Sequence, residues 1–221
     1  DKVYLTTTAS SINGNTGTDE AIVRAFDGFV DVYIDLQFST YFVPSKLTAQ
    51  DGMEVSLQNF ENVTIDGNVA ATILGTAAAN TLIGDTGADT ITGRAGADTL
   101  TGGSKSDTFV FSSGDTGITL DTADTITDFS TGTDKIDIAT VGSYVEADGA
   151  GNANIAAFIT DADASLPTTS IDIYAEYNFN GEGNTLVVID EDKSGAVNTG
   201  DTLIILTGLS TAEGLDASDF I

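Results

Sequence analysis

Glycine recurs every nine residues at Gly75, Gly84, Gly93 and Gly102, and each is followed five positions on by Asn80, Asp89, Asp98 or Asp107. The four units read GTAAANTLI, GDTGADTIT, GRAGADTLT and GGSKSDTFV without a gap. Their seventh position is always Thr (Thr81, Thr90, Thr99, Thr108), and the eighth is always large and apolar (Leu82, Ile91, Leu100, Phe109). A looser unit, DGNVAATIL, precedes them and keeps Thr72 and Ile73 in phase. The first six positions suit a tight turn, because glycine reaches backbone conformations that other residues resist. The last three suit a short strand with one inward side chain. Such a unit can bury its single apolar residue only against its neighbours, so the period predicts a stacked array.

This register resembles the RTX calcium-binding nonapeptide repeat. The resemblance implies a parallel β-roll in which two nonapeptides make one coil, so that loops eighteen residues apart stack on one edge. Asp89 then lies over Asp107, and Asn80 over Asp98. Stacked strands are separated by about 4.8 Å. Two carboxylates at that spacing repel by roughly 3–4 kcal/mol at an effective dielectric of about 20. Calcium, which takes six to eight oxygens from carboxylates and carbonyls, relieves that repulsion. The expected ligand-bearing positions are Gly75, Ala77 and Asn80; Gly84, Thr86 and Asp89; Gly93, Ala95 and Asp98; and Gly102, Gly103, Ser104 and Asp107. Glycine-rich acidic turns also occur in metal-free solenoids, but four units in strict phase, with an acid or amide always at one position, favour calcium. Three departures predict weaker binding at the edges: Lys105 and Ser106 in the last unit, Arg94 at a position often held by Gly, and the uncharged Asn80.

Composition narrows the partners. Across 221 residues there are 34 acids and 7 bases, for a net charge of -27. No basic patch exists to meet nucleic-acid phosphates, and an anionic membrane repels such a chain. Self-repulsion of this size opposes compaction until counter-ions arrive. With no Cys there is no disulfide framework or thiol chemistry, and with no His there is no histidine base or ordinary zinc site. No apolar run is long enough to span a bilayer as a helix, and no N-terminal signal peptide is visible.

The flanks read as strands. Val23 to Phe38 alternates apolar and polar residues until Pro44 breaks the run. Residues 1–65 form a β-rich N-terminal flank resembling the spacers between RTX blocks of large bacterial surface and secreted proteins. The opening Asp1 to Leu5 looks like the tail of another repeat, so the chain is expected to be cut from a longer protein. Residues 66–111 form the roll. Residues 112–221 resemble the C-terminal domain of serralysin-type RTX proteins, through Asp107-Thr-Phe-Val-Phe111, Asp124-Thr-Ile-Thr-Asp-Phe129 and Asp134-Lys-Ile-Asp-Ile138. Asp115 and Asp124 are placed to complete a cage with Asp98, or else merely decorate turns. No helix is expected before residue 145. Asn154 to Asp161 is a candidate short helix, and Ser170 to Phe179 alternates as a strand.

A second calcium loop lies further on. Asp190 to Asp201 fits the EF-hand loop: Asp190, Asp192 and Ser194 as the first ligands, Gly195 at the sharp turn, the carbonyl of Ala196, then Asn198 and Asp201. The last position is Asp rather than the usual Glu, and the flanks (Leu186 to Ile189, Leu203 to Leu206) read as strands. This predicts a calcium loop in a hairpin, against the simpler alternative of an acidic turn. The ending, Leu215-Asp-Ala-Ser-Asp-Phe-Ile221, resembles a type I secretion signal.

Enzymatic readings fit less well. Asp85-Thr-Gly87 and Asp115-Thr-Gly117 match the aspartic-protease phrase. However, Asp85 sits in the repeat register, where Thr76, Arg94 and Gly103 share its slot. A glycosidase pair among the acids would need a concave pocket that such short loops rarely build. The sequence therefore predicts an all-β, non-enzymatic protein: a parallel β-roll with flanking strands and sandwich-like extensions, binding several Ca²⁺ ions. The resemblance implies export by type I secretion machinery to the bacterial exterior, with a surface-layer or adhesin protein as the expected context. Self-association or cell-surface polysaccharide would then be its contacts. The alternative is the C-terminal region of a secreted hydrolase whose catalytic domain lies upstream.

Overall fold

In a computed structural model, the described residues are the strands within residues 2–66 and residues 70–138, 142–147, 152, 154–166, 172–209 and 215–221. The chain forms two units, Asp1–Val110 and Phe111–Ile221.

The first unit is built from β1 (Lys2–Leu5), β2 (Ser11–Asn13), β3 (Glu20–Arg24), β4 (Asp31–Asp35), β5 (Leu47–Thr48), β6 (Glu54–Gln58), β7 (Asn62–Asp66), β8 (Ala70–Leu74), β9 (Thr81–Ile83), β10 (Thr90–Thr92), β11 (Thr99–Thr101) and β12 (Thr108–Phe111). Here one sheet runs β1-β3-β7-β9-β11 and a second runs β4-β8-β10-β12, both parallel; β2-β6-β5 form a third. The register follows the repeat. Thr72 pairs with Thr90 and Thr90 with Thr108, while Thr81 pairs with Thr99, so each coil takes two nonapeptides. Only the centre of each three-residue strand turns inward, and that position is the eighth of the unit. Ile73, Ile91 and Phe109 stack in one sheet, and Val63, Leu82 and Leu100 in the other, all with no exposed surface. Each contributes about 1.5–3 kcal/mol by leaving water. The N-terminal strands continue the array, with Lys2–Leu5 lying parallel to Glu20–Val23 and Glu20–Arg24 parallel to Asn62–Asp66.

The second unit contains β13 (Asp124–Ile126), β14 (Lys135–Ile138), β15 (Ser143–Ala147), α1 (Ile155–Ser165), β16 (Asp172–Phe179), β17 (Asn184–Asp190), β18 (Thr202–Leu206) and a 3₁₀ turn at Ala217–Asp219. Its sheet runs β13-β18-β17-β16-β15, with β16-β17-β18 antiparallel. The expected helix and strand both form. Asn154 caps α1 by accepting from the Ala157 amide. Phe158 and Ala162 then pack on Tyr174, Phe179, Leu186, Val188 and Leu203. The Phe158 ring sits 5.5 Å from Tyr174 and 6.3 Å from Phe179, centroid to centroid. None of the described helices is long and apolar enough to cross a membrane.

The last residues are held down as well. Phe220 bridges Ile136, Ile221 exchanges backbone hydrogen bonds with Ile136 and Ile138, and the buried Asp219 accepts from the Gly132 amide at 2.8 Å.

Candidate metal centres

The turns of the roll repeat one arrangement. The acid in sixth position folds inward and accepts the amide of the residue eighteen places earlier: Ala71 N–H to Asp89 Oδ1 at 2.7 Å, Asn80 N–H to Asp98 Oδ1 at 2.7 Å, and Asp89 N–H to Asp107 Oδ1 at 2.8 Å. Main-chain bonds tie the same loops together, from Thr99 N–H to Asn80 O and from Thr108 N–H to Asp89 O. Asp89, Asp98 and Asp107 are each at most 2% exposed.

The second carboxylate oxygens decide what the turns can hold. Oδ2 of Asp89, Asp98 and Asp107 is buried in each case, and that of Asp89 receives no hydrogen bond. Each faces the glycine opening its own unit, where a Cβ would strike it: Asp89 Oδ2 against Gly84, Asp98 Oδ2 against Gly93, Asp107 Oδ2 against Gly102. The carbonyl of Gly102 also closes on Gly84, 2.8 Å from where a Cβ would stand. Glycine here leaves room for oxygens to converge. Burying a charge without a partner is expensive, and proteins respond by neutralising it. Burial accordingly pushes the Asp89 carboxyl up to about 7; the neighbouring charges of Asp107 and Asp85 add to the rise, while the Ala71 amide and Lys105 oppose it. The fit to a hard, oxygen-seeking dication is good: a buried anionic oxygen without a donor, adjoining carbonyls, and no soft ligand.

The comparison with known families agrees. Residues 74–109 match the RTX calcium-binding nonapeptide repeat in four copies. These residues are RTX calcium-binding repeats. The RTX segment is a structural element that binds several Ca²⁺ ions rather than a catalytic one. No curated protein matches the chain.

In the turns of the roll, three described residues take positive φ although they are not glycine: Asp85 (72°), Arg94 (67°) and Lys105 (88°). Two of them are the departures noted in the sequence, and each is held where glycine is the unstrained choice. Gly103 (99°) could not be replaced in the same way, because a Cβ there would strike the Asp85 carbonyl. Ala77, Thr86, Ala95 and Ser104 lie in the turns between glycine and acid. Their carbonyls stay proposed ligands.

In the second unit, Asp190, Asp192 and Asp201 each bring a carboxylate oxygen within 4.8 Å of the others. β17 delivers Asp190, and Asp201 immediately precedes β18. Lys193 (φ 60°) and Gly195 (φ 71°) make the reversal between them. The Ser194 and Gly195 amides donate to the two oxygens of Asp190, and the Asn198 and Glu191 amides to those of Asp201. Asn198 Nδ2 donates to Asp192 Oδ2 (2.9 Å), Ser194 Oγ (3.0 Å) and Ala196 O (3.0 Å), three of the expected ligands. Burial first, and then the Asp190 and Asp192 charges, lift Asp201 to about 6, against the pull of the Asn198 amide. Burial likewise raises Asp190, while the Asn198 side chain holds the exposed Asp192 below its usual range.

Of the remaining expected ligands, Asp115 closes a turn by accepting from the Ser112 amide at 2.9 Å. Asp124 is buried in β13, and its amide donates to Thr116 Oγ1. Two contributors, Asp85 and Asp163, escaped the sequence reading, and Lys105 stands there only as a departure. Asp85 and Lys105 both act on Asp89, which the eighteen-residue stacking would have placed nearby. Asp163 of α1 accepts the Val197 amide at 2.6 Å, tying the helix to the hairpin loop, and no local pattern announces that contact.

Proposed function

We propose that this chain is a calcium-switched folding region of a secreted bacterial protein. The carrying observation is the buried Asp89 carboxylate, whose Oδ2 meets a glycine and a carbonyl rather than a donor. Where free calcium is scarce, the acids oppose the stack and the chain stays open and exportable. Outside the cell calcium fills the turns and the coils close. The hairpin loop Asp190–Asp201 takes a further ion through Asp190, Asp192, Ser194, Ala196, Asn198 and Asp201. An ion that binds only the folded form adds RT ln(1 + [Ca]/Kd), about 2.7 kcal/mol per site at a hundredfold excess over Kd.

The C-terminal Leu215–Ile221 serves as the type I secretion signal in this reading, and the parent is a surface-layer or adhesive protein. The Thr- and Ala-rich repeats and the parallel strands preceding them support that context. Circular dichroism in calcium and then in chelator tests the switch. A β signal that appears only with calcium is expected; the same signal in both overturns it. Fusing residues 112–221 to a reporter in a type I secreting host tests the export role.

A further inference from the structure

The two edges of the roll are not equivalent. One edge stacks the loop Gly84–Asp89 on Gly102–Asp107, and the other stacks Gly75–Asn80 on Gly93–Asp98. On the first edge Asp85, Asp89 and Asp107 face one base, Lys105, which is exposed. On the second edge Asp98 is the only acid and Arg94 the only base, so the loops sum to zero charge.

The geometry repeats that contrast atom by atom. Asn80 stands where Asp89 stands on the other edge. Its Oδ1 is already engaged, accepting from the Thr76 amide at 2.6 Å and lying 3.1 Å from Thr76 Oγ1. The Arg94 side chain is half-buried, and its Nη1 donates to the Gly75 carbonyl at 2.6 Å. That carbonyl belongs to the glycine against which Asn80 Oδ1 and the Gly93 carbonyl converge. The matching oxygens on the opposite edge, Asp89 Oδ2 and the Gly102 carbonyl, converge on Gly84, and there Asp89 Oδ2 receives no donor.

We infer that Arg94 is a built-in cation that replaces a calcium ion between the Gly75 and Gly93 loops. Calcium dependence of the four repeats is then concentrated on the Gly84–Gly102 edge. The guanidinium supplies charge and a directed N–H to a carbonyl that would otherwise be a metal ligand. The Gly75–Gly93 edge then needs no ion of its own, and closure of the coils waits on the Gly84–Gly102 edge.

This inference rests on the calcium reading of the repeats, and the test separates the two. Native mass spectrometry counts bound calcium in the wild-type chain, in Asp89→Asn and in the double variant Asn80→Asp/Arg94→Gly. The inference expects Asp89→Asn to lose an ion and the double variant to gain one. It also expects the double variant to need at least tenfold more calcium to reach half-folding. An equal ion count in the wild type and the folded double variant overturns the role of Arg94 while leaving calcium binding intact. No ions at all in the wild type overturns the calcium reading itself. Should the double variant fail to fold, the calcium-folded wild type still decides: its Arg94 guanidinium nitrogen should show a hydrogen-bond coupling to the Gly75 carbonyl carbon. Absence of that coupling in excess calcium would mean that an ion takes the Gly75 carbonyl, and the inference would fall.

Discussion

Without calcium, acid should substitute for the metal. The Asp89 carboxyl, ordinarily at 3.8, sits at about 7 in the ion-free fold. A carboxyl whose folded value is raised stabilises the fold while protonated. Its contribution is fully present below 3.8 and is lost as pH rises through about 7. A tenfold change in proton affinity corresponds to about 1.4 kcal/mol, so Asp89 alone gives a ceiling of about 4 kcal/mol between pH 7.5 and 4. Asp201, raised to about 6, acts in the same direction over a lower window. Calcium reverses the sign. A cation on Asp89 favours the ionised form, so the calcium-loaded fold should weaken as acid displaces the metal.

Urea unfolding followed by circular dichroism, in chelator and in excess calcium from pH 7.5 to 4.5, checks this. In chelator a β signal absent at pH 7.5 should appear on acidification, with a urea midpoint that then climbs, and the midpoint in calcium should fall. Asp89→Asn removes the titrating group and should flatten most of the rise in chelator. A midpoint in chelator that stays level or drops as pH falls would refute the argument that buried unneutralised carboxylates hold the ion-free roll apart.

Three further outcomes follow from the same geometry. Leu100→Ala empties a fully buried rung stacked on Leu82 and should cost about 2–5 kcal/mol in urea, both in calcium and in the acid-folded state in chelator, because the loss is packing. Asp201→Ala should remove one ion from the native mass spectrum and, at a hundredfold excess of calcium over Kd, about 2.7 kcal/mol of stability. Asp219→Ala deprives the Gly132 and Asp216 amides of their acceptor and should cost about 1–3 kcal/mol. Hydrogen exchange at Ile138 and Ile221 should accelerate first.

The period of nine made the roll legible because it writes the fold twice, as turn chemistry and as an inward residue. The pairing of Thr72, Thr90 and Thr108 follows from counting alone. The hairpin loop was legible for the same reason, since ligand spacing is local. What escaped was set by distant chain. Val63 pairs with Leu82 nineteen residues on, one more than the repeat demands, and Ala21 pairs with Val63 across a long connection that carries no repeat. Strand β16 alternates in sequence, yet Ile173 through Tyr177 are all buried. Glu176 is tolerated there because Asn152, far away in sequence, donates its amide at 2.7 Å and its side-chain Nδ2 at 2.6 Å. Arg94 appeared in the sequence only as a misplaced glycine, since nothing local says where a long side chain will reach.

A net charge of -27 and a folded roll have to be reconciled by something other than the core. The inward rungs hold the coils together but do nothing for the turns, where acid lies over acid. One edge answers with Arg94 and Asn80, which leaves no excess charge for a metal to neutralise. The other edge and the hairpin loop keep theirs. Two ions at a hundredfold excess over Kd would add about 5 kcal/mol, which is as large as the whole stability of many small domains. A fully self-neutralised roll would fold wherever it was made, and a fully acidic one would need every site filled before any coil closed. Dividing the edges gives a chain that is poised near its folding threshold and crosses it over a narrow range of calcium. The width of that range, read from the steepness of the calcium titration, should therefore broaden when Asp89 is neutralised.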